Sequence, residues 1–414
     1  MQSLRGTKDI LPNEIIFWQH IYNVALEICS LYNYHEIKTP IIEFTSLFER
    51  SIGNGTDIVN KEMYSFIDQG NRNITLRPEG TASIARAFIS NKLYSTNTMN
   101  KLWYIGPMFR YERPQSGRQR QFHQLGIECI GSLEPTADAE VIRIAIKILN
   151  SLQIHDYKLE INSIGDLKER NEYKYRLVKY LKKYESDLDE DSKNRLRNNP
   201  LRILDSKHSK TQEILIDAPS LEICLGNESK QHFKKLCGHL NSMNIPYNIN
   251  NKLVRGLDYY NYTAFEIITK SNNNQDTVCG GGRYDSLIEN LGGPHTPSVG
   301  WAIGIERLLL MAKNHLEIDL LKPNVYIATQ GEKAKLYAWS IIDILEKAKI
   351  TFELDLQNNS FHKQIRKANK IGVCICIIIG DNEILNNNVT IKLLKKNTQK
   401  TVHISQIVEE INKQ

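Results

Sequence analysis

The chain has no long hydrophobic run. Its longest purely apolar stretch towards the C-terminus, Val373–Ile379, has the length of a buried strand. A membrane-spanning helix needs ~20 apolar residues, so insertion into a bilayer by a helix is excluded. There is no Cys-x-x-Cys pair, and the 7 cysteines are an odd number spread over 414 residues. That argues against a disulfide framework and for a reducing compartment. The opening Met1-Gln2-Ser3-Leu4-Arg5-Gly6 has no apolar signal core and no Arg/Ser-rich transit stretch, so the expectation is a protein made where it works. No G-x-x-x-x-G-K-[ST] loop occurs, and Gly53-Asn54-Gly55 lacks the third glycine of a dinucleotide-binding turn. Solenoid repeats and low-complexity tracts are missing too. So is a strong excess of one charge: 53 basic against 47 acidic residues leave +6. Nucleic-acid binding can rest on a local patch, so this balance neither announces nor excludes it.

What is present, 41% apolar and 24% charged residues, is the balance of a globular protein of two or three domains. Pro12 suits a helix start, and Ile21, Val24, Ala25, Ile28 and Leu31 recur at helical spacing. An extended stretch, Glu36–Glu43, carries Pro40 and so is no central strand. Tyr64–Asp68 and Asn73–Arg77 flank a turn at Gln69-Gly70-Asn71, and Thr81–Phe88 reads as a short helix. Two long strands, Lys101–Glu112 and Phe122–Ile130, enclose a polar, basic loop, Arg113–Gln121. A helix over Ala137–Leu152 and a strand over Lys158–Ile164 lead to an inserted, charged helical unit at about 166–250. Strands follow at Leu253–Thr269 and Thr277–Cys279, then a turn at Gly280-Gly281-Gly282 with a helix to Asn290, and Gly300–Gly304 leads into a helix over Ile305–Lys313. Lys322-Pro323-Asn324 marks a domain boundary, and beyond it strands and helices alternate, which implies a small α/β domain with a largely parallel sheet.

Residues two apart on a strand share a face. Arg110 and Glu112 thus point one way, and Gln124, Gly126 and Glu128 line one face of the returning strand. Charge on otherwise apolar strands is costly unless it is paired or serves a ligand. A solvated sheet face with structural salt bridges is the alternative. Arginines also stand at Arg77, Arg255, Arg283 and Arg307, and their planar forks suit phosphate. Phosphate would then be held by arginines on a sheet rather than by a glycine loop. Cys224, His232, Cys237 and His239 are close in sequence, but their spacing matches no common zinc pattern. Cys374 and Cys376 lie in an apolar strand and are expected to pack there, and His123, facing opposite to Gln124, reads as structural.

Several segments resemble a known family. Phe109-Arg110-Tyr111-Glu112 looks like motif 2 of the class II aminoacyl-tRNA synthetases, Gly300–Arg307 like motif 3, and the elements ending at Pro40 like the dimer-forming motif 1. Leu253–Tyr260 and Val278–Asp285 are similar to the two histidine-specific signatures of the histidyl-tRNA synthetases, and Leu76–Thr81 and Gly117–Gln124 fit the same family. The resemblance runs the length of the chain, and the wording of Val299–Gly304 is nearest the cyanobacterial and plastid branch.

The resemblance implies an α+β catalytic domain on an antiparallel sheet, residues 1–322 with a helical insertion at about 166–250, and an α/β anticodon-binding domain, residues 323–414. It implies ATP-dependent attachment of L-histidine to tRNA(His) through a histidyl-adenylate, with Mg²⁺ assisting, in a homodimer of the plastid stroma or, alternatively, of a bacterial cytoplasm. Carried over by motif, Arg110, Arg255 and Arg307 are catalytic, and Arg110, Glu112, Arg118 and Arg307 hold ATP. Glu79, Gly80, Thr81, Gln124, Glu128, Arg255, Tyr259, Tyr260 and Tyr284 hold histidine, with Glu128 and Tyr260 on the two imidazole nitrogens and Glu79, Thr81 and Gln124 on the α-amino group. No residue is expected to be a protein-only metal ligand. The last domain carries 13 Lys and Arg against 9 Asp and Glu, in keeping with an anticodon reader, and the loop Arg113–Gln121 would meet the acceptor stem. A histidine-binding regulatory paralogue is the rival reading. Such paralogues typically lack the C-terminal domain or lose the signature arginines, and this chain keeps both.

Overall fold

The computed structural model describes residues 1–53, 56–115, 117–271, 274–313, 315–316, 318, 322–357 and 359–413; Asn54 and Gly55 of the Gly53-Asn54-Gly55 segment and Ser116 of the basic loop lie outside them. The chain divides into two compact units, Met1–Ile318 and Asp319–Gln414.

The first unit contains strands β1 (His35–Glu36), β2 (Ile42–Phe44), β3 (Tyr64–Ile67), β4 (Asn73–Leu76), β5 (Asn100–Phe109), β6 (Gln121–Ile130), β7 (Tyr157–Gly165), β8 (Asn248–Ile249), β9 (Asn261–Ser271), β10 (Asn274–Arg283) and β11 (Ser298–Gly304). The main sheet runs β1-β5-β6-β11-β10-β9-β7-β8 and is antiparallel except at its β1–β5 and β7–β8 edge pairs. A smaller antiparallel sheet, β2-β4-β3, carries the expected hairpin. Its turn closes because Asp68 accepts the amides of Gly70 and Arg72, both at 2.9 Å, while Asn71 takes a left-handed φ of 55°.

Period-two alternation divides the main sheet into two working faces. Trp103, Leu125, Ile127, Val299, Trp301 and Ile303 turn to one side and pack with helices Pro12–Leu31, Pro135–Ser151, Asn227–Ser242 and Ile305–Ala312 in one core. Trp301 also donates its indole N–H to the Val141 carbonyl at 2.7 Å. Truncating either buried tryptophan would cost about 3–5 kcal/mol. The intervening positions, Gln124, Gly126, Glu128, Gly300, Ala302 and Gly304, face the other way, where small residues leave the sheet bare. Within the segment expected as an insertion, Asp166 and Glu169 close a reciprocal N-terminal cap on helix Leu167–Leu181. Glu169 also accepts Ser229 Oγ at 2.6 Å, and helix Asn227–Ser242 delivers Leu236 and Leu240 to the main core.

The second unit holds β12 (Val325–Thr329), β13 (Phe352–Leu354), β14 (Ile375–Ile379), β15 (Asn388–Leu393) and β16 (Thr398–His403) in the order β13-β12-β14-β15-β16. The first three are parallel, joined through helices Glu332–Lys347 and Phe361–Ile371, and β15 and β16 add antiparallel. An α/β domain was expected, and the parallel part is three strands of five. Cys376 is buried as expected, but Cys374 is exposed, because the buried strand begins only at Ile375.

Other expectations need correction. Leu31 is exposed at the end of its helix. The strand expected to reach Glu112 stops at Phe109, because the Tyr111 amide turns away from β6 to the Glu62 carbonyl at 2.7 Å. Residues 253–260 form a loop and β9 starts at Asn261. Gly280-Gly281-Gly282 is no turn but mid-strand in β10, paired on both sides. Its glycines answer to close approach rather than to chain reversal: a Cβ at Gly280 would collide with the Arg255 guanidinium, and one at Gly281 with the Gly300 carbonyl.

Candidate active site

A cavity of 490 Å³ opens on the bare face of the main sheet. One end is built for a small cation-bearing molecule. Helix Thr81–Ser90 begins there, and Glu79 accepts the amides of Thr81 and Ala82 at 2.7 and 2.8 Å. Burial raises the Glu79 carboxyl above its ordinary range. Beneath it lies Glu128, 0% exposed, which accepts Thr81 Oγ1 at 2.7 Å on one oxygen and the Tyr284 hydroxyl on the other. Burial pushes its carboxyl up to about 8, although both hydroxyls work against that shift. Gly300 makes room for it, since a Cβ there would strike Glu128 Oε2. Gln124 Oε1 is buried without a partner, an acceptor left open beside these groups. Tyr259 lies tilted 4.6 Å from Tyr260 and edge-on 5.7 Å from Tyr284, making an aromatic wall. Arg170 holds that wall by donating to the Tyr260 carbonyl at 2.6 Å.

The other end is basic. Arg110 donates Nε to the Pro78 carbonyl at 2.9 Å, lies over the Phe122 ring and sits 3.8 Å from Glu112. Arg118 is 3.5 Å from the same carboxylate. Arg307 donates to the Thr277 carbonyl, and Arg255 pairs with Glu266. Burial, the nearby Glu112 and Asp57 together raise the Glu62 carboxyl, against the pull of Arg110 and Arg118. The arrangement can bind a polyanion along one side and a small amine with a ring on the other.

The structure therefore brings Arg110, Glu112, Arg118, Arg255, Arg307, Glu79, Thr81, Gln124, Tyr259 and Tyr260 to one cavity wall. Glu128 and Tyr284 lie directly behind Thr81, and Gly80 backs onto the Tyr104 ring. Arg77 and Arg283 belong elsewhere: Arg77 donates to the Pro107 and Thr39 carbonyls, and Arg283 is fully buried against Asp138 and Asp285. His123 faces away from the cavity and bonds Glu306 at 2.9 Å. The four zinc-like residues are not gathered: His232 pairs with Asp138, His239 with Thr136, and Cys224 and Cys237 pack in different clusters. Sequence reasoning missed Glu62, Arg202, Glu266 and Thr277 on the wall. Glu266 carried a signal, a lone carboxylate between Phe265 and Ile267 on an apolar strand. Arg202 carried none, because the fold alone brings the helical segment to the cavity.

Comparison with known proteins agrees with this geometry. The family profile described as histidyl-tRNA synthetase matches residues 6–308, and an anticodon binding domain profile matches 324–414. The chain is 65% identical to a chloroplastic histidine–tRNA ligase of Gracilaria tenuistipitata, covering 100% of this chain and 98% of that one. It is 50% identical to a histidine–tRNA ligase of Rippkaea orientalis over 99% and 96% of the two chains. The crystal structure of apo histidyl-tRNA synthetase from S. aureus superposes with a TM-score of 0.83 at 37% identity, covering 99% of both chains. A mainly antiparallel sheet, a cavity on its bare face lined by arginines from the adjoining loops and helix, and relatives matched from end to end agree: the chain belongs to the histidyl-tRNA synthetase family of class II aminoacyl-tRNA synthetases.

Proposed function

We propose that this cavity carries out both steps of histidine–tRNA ligation, the activity of the family, with the labour divided between its two ends. The observation that carries the assignment is the pair of buried carboxylates, Glu79 on the cavity wall and Glu128 directly behind Thr81, beside tyrosines and at one end of a cavity that opens onto arginines. Histidine presents an ammonium and an imidazole. Glu79, Thr81 and the open Gln124 Oε1 accept from the ammonium, while Glu128 and the Tyr260 hydroxyl meet the ring nitrogens. A pocket that satisfies both nitrogens rejects isosteres lacking them, because its own buried groups would be left unpaired.

The histidine carboxylate attacks the α-phosphorus of ATP, and pyrophosphate leaves. The terminal ribose hydroxyl of tRNA(His) then attacks the adenylate carbonyl, and AMP leaves. Both steps gain mainly from positioning and from fixed positive charge where charge develops. Arg110 and Arg255 serve the α-phosphate, Arg307 the γ-phosphate, and Arg118 assists from the loop. Among the described residues no cluster of three or more ligating side chains could hold a metal by itself. Mg²⁺ takes one or two carboxylates and completes its shell with water and phosphate oxygens. Glu62 and Glu112, on the same wall, are the carboxylates that would hold it. When bound, it neutralises charge on the outer phosphates.

The second unit reads the anticodon, and the basic loop 113–121 meets the acceptor stem. We place the enzyme in the plastid stroma, on the strength of the 65% identity to the chloroplastic relative, with a bacterial cytoplasm as the alternative. We assign it a homodimer: Ile42, Phe44 and Phe66, on one face of the small sheet, are 48–57% exposed, apolar surface suited to a second copy. The test is charging of a tRNA(His) transcript with labelled histidine. Charging of that transcript and not of a non-cognate tRNA supports the reading, and histidine binding without charging overturns it.

A further inference from the structure

Among the wall residues without a part in the reaction, Glu266 is the one paired with a catalytic arginine. Glu266 puts a carboxylate into a cavity that takes a triphosphate, where its charge repels the substrate. Both its oxygens are engaged within the protein. One takes the Arg255 guanidinium, and the other accepts Thr277 Oγ1 at 2.9 Å. Glu266 and Gly280 face each other across β9 and β10, and the Arg255 guanidinium lies on Gly280, in space any Cβ would occupy.

Thr277 and Gly280 are three positions apart, so in a regular strand they would face opposite sides. The register slips between Thr277 and Cys279, and this bulge turns both toward Glu266. The Thr277 carbonyl meanwhile accepts from Arg307. One bulged strand pair thus touches two of the phosphate-facing arginines, Arg255 and Arg307. Arg255 Nε is buried with no protein partner, a donor left for a ligand.

We propose that Glu266 is a positioning residue for adenylate formation: fixed by Thr277, it clamps Arg255 flat on Gly280 in the place from which the guanidinium meets the α-phosphate. The inference rests on the role given to this cavity above. Glu266 acts through Arg255 and touches no substrate itself.

The test pairs Glu266→Gln with Thr277→Val, each checked for folding by circular dichroism. ATP–pyrophosphate exchange and calorimetric binding of a non-hydrolysable histidyl-adenylate analogue are the readouts. Displacing a reacting group by ~1 Å can cost about 100-fold. We expect E266Q to lower kcat for exchange by about 10- to 100-fold while the KM for ATP moves by less than about 3-fold, with T277V changing in the same direction by less. In an Arg255→Ala background, E266Q should weaken analogue binding no further. Exchange within about 2-fold of wild type for a folded E266Q overturns the proposal, as does an undiminished effect of E266Q on analogue binding in the Arg255→Ala background. Failure of the wild-type protein to exchange with histidine would instead strike the assignment of the cavity.

Discussion

Glu128→Gln separates what the buried carboxylate does for the ligand from what it costs the fold. Glu128 is fully buried and its carboxyl is pushed up to about 8 from an ordinary 4.5. Folding therefore binds a proton there over the pH range between those two values. The folded state binds more protons than the unfolded one, so stability is highest at the acidic end and falls as pH rises toward about 8. The slope is at most about 1.4 kcal/mol per pH unit, so Glu128 accounts for about 2 kcal/mol lost between about pH 6 and about pH 7.5. Gln keeps the volume and an acceptor for one hydroxyl, and its amide donates to the other as the protonated acid would. The ligand-free variant should escape this loss, leaving its midpoint about 3 °C less sensitive to pH over that interval. Scanning calorimetry of both proteins at the two pH values measures it. Parallel losses in wild type and variant would refute the reasoning. The same variant should bind histidine about 30- to 100-fold more weakly, the worth of a buried hydrogen bond to charge, with ATP binding little changed. Equal losses for both ligands would make Glu128 structural.

Three further outcomes follow from the geometry. Arg255→Ala should cut adenylate formation severely with the fold intact, and near-normal exchange would remove Arg255 from its role. Gly280→Ala should damage exchange more than stability, because the added methyl meets the side-chain end of Arg255 and displaces its guanidinium, whereas Gly281→Ala meets the Gly300 backbone and should destabilise by about 1–3 kcal/mol or more; melting and exchange assays on both distinguish the two sites. Sedimentation at micromolar protein should give a dimer, and Phe44→Asp or Phe66→Asp should shift it toward monomer if the exposed face of the small sheet is buried there.

Much of this was legible in the sequence because local patterns were strong. The helix after Pro12, the hairpin around Gly70 and the alternation of β6 each follow from spacing alone. The three glycines misled for a physical reason. Gly280-Gly281-Gly282 read as a turn, since local sequence cannot reveal that Arg255 and the Gly300 backbone will press on a strand from both faces. Residues 253–260 look like strand yet form a loop, because they lie across the sheet face to present Arg255 and the two tyrosines rather than pairing within it. The motif resemblance carried Arg110, Arg255 and Arg307 to the cavity. Arg202 and Thr277 emerged only from contacts between distant segments, and the pairing of Glu266 with Arg255 needed the strand register.

The most direct test of the account is ATP–pyrophosphate exchange by the purified protein, measured separately with each proteinogenic amino acid. Exchange that depends on histidine, and on no other amino acid at comparable concentration, is the predicted result. Exchange with a different amino acid, or histidine binding with no exchange at all, would contradict the assignment of Glu79, Glu128 and the tyrosine wall to histidine activation.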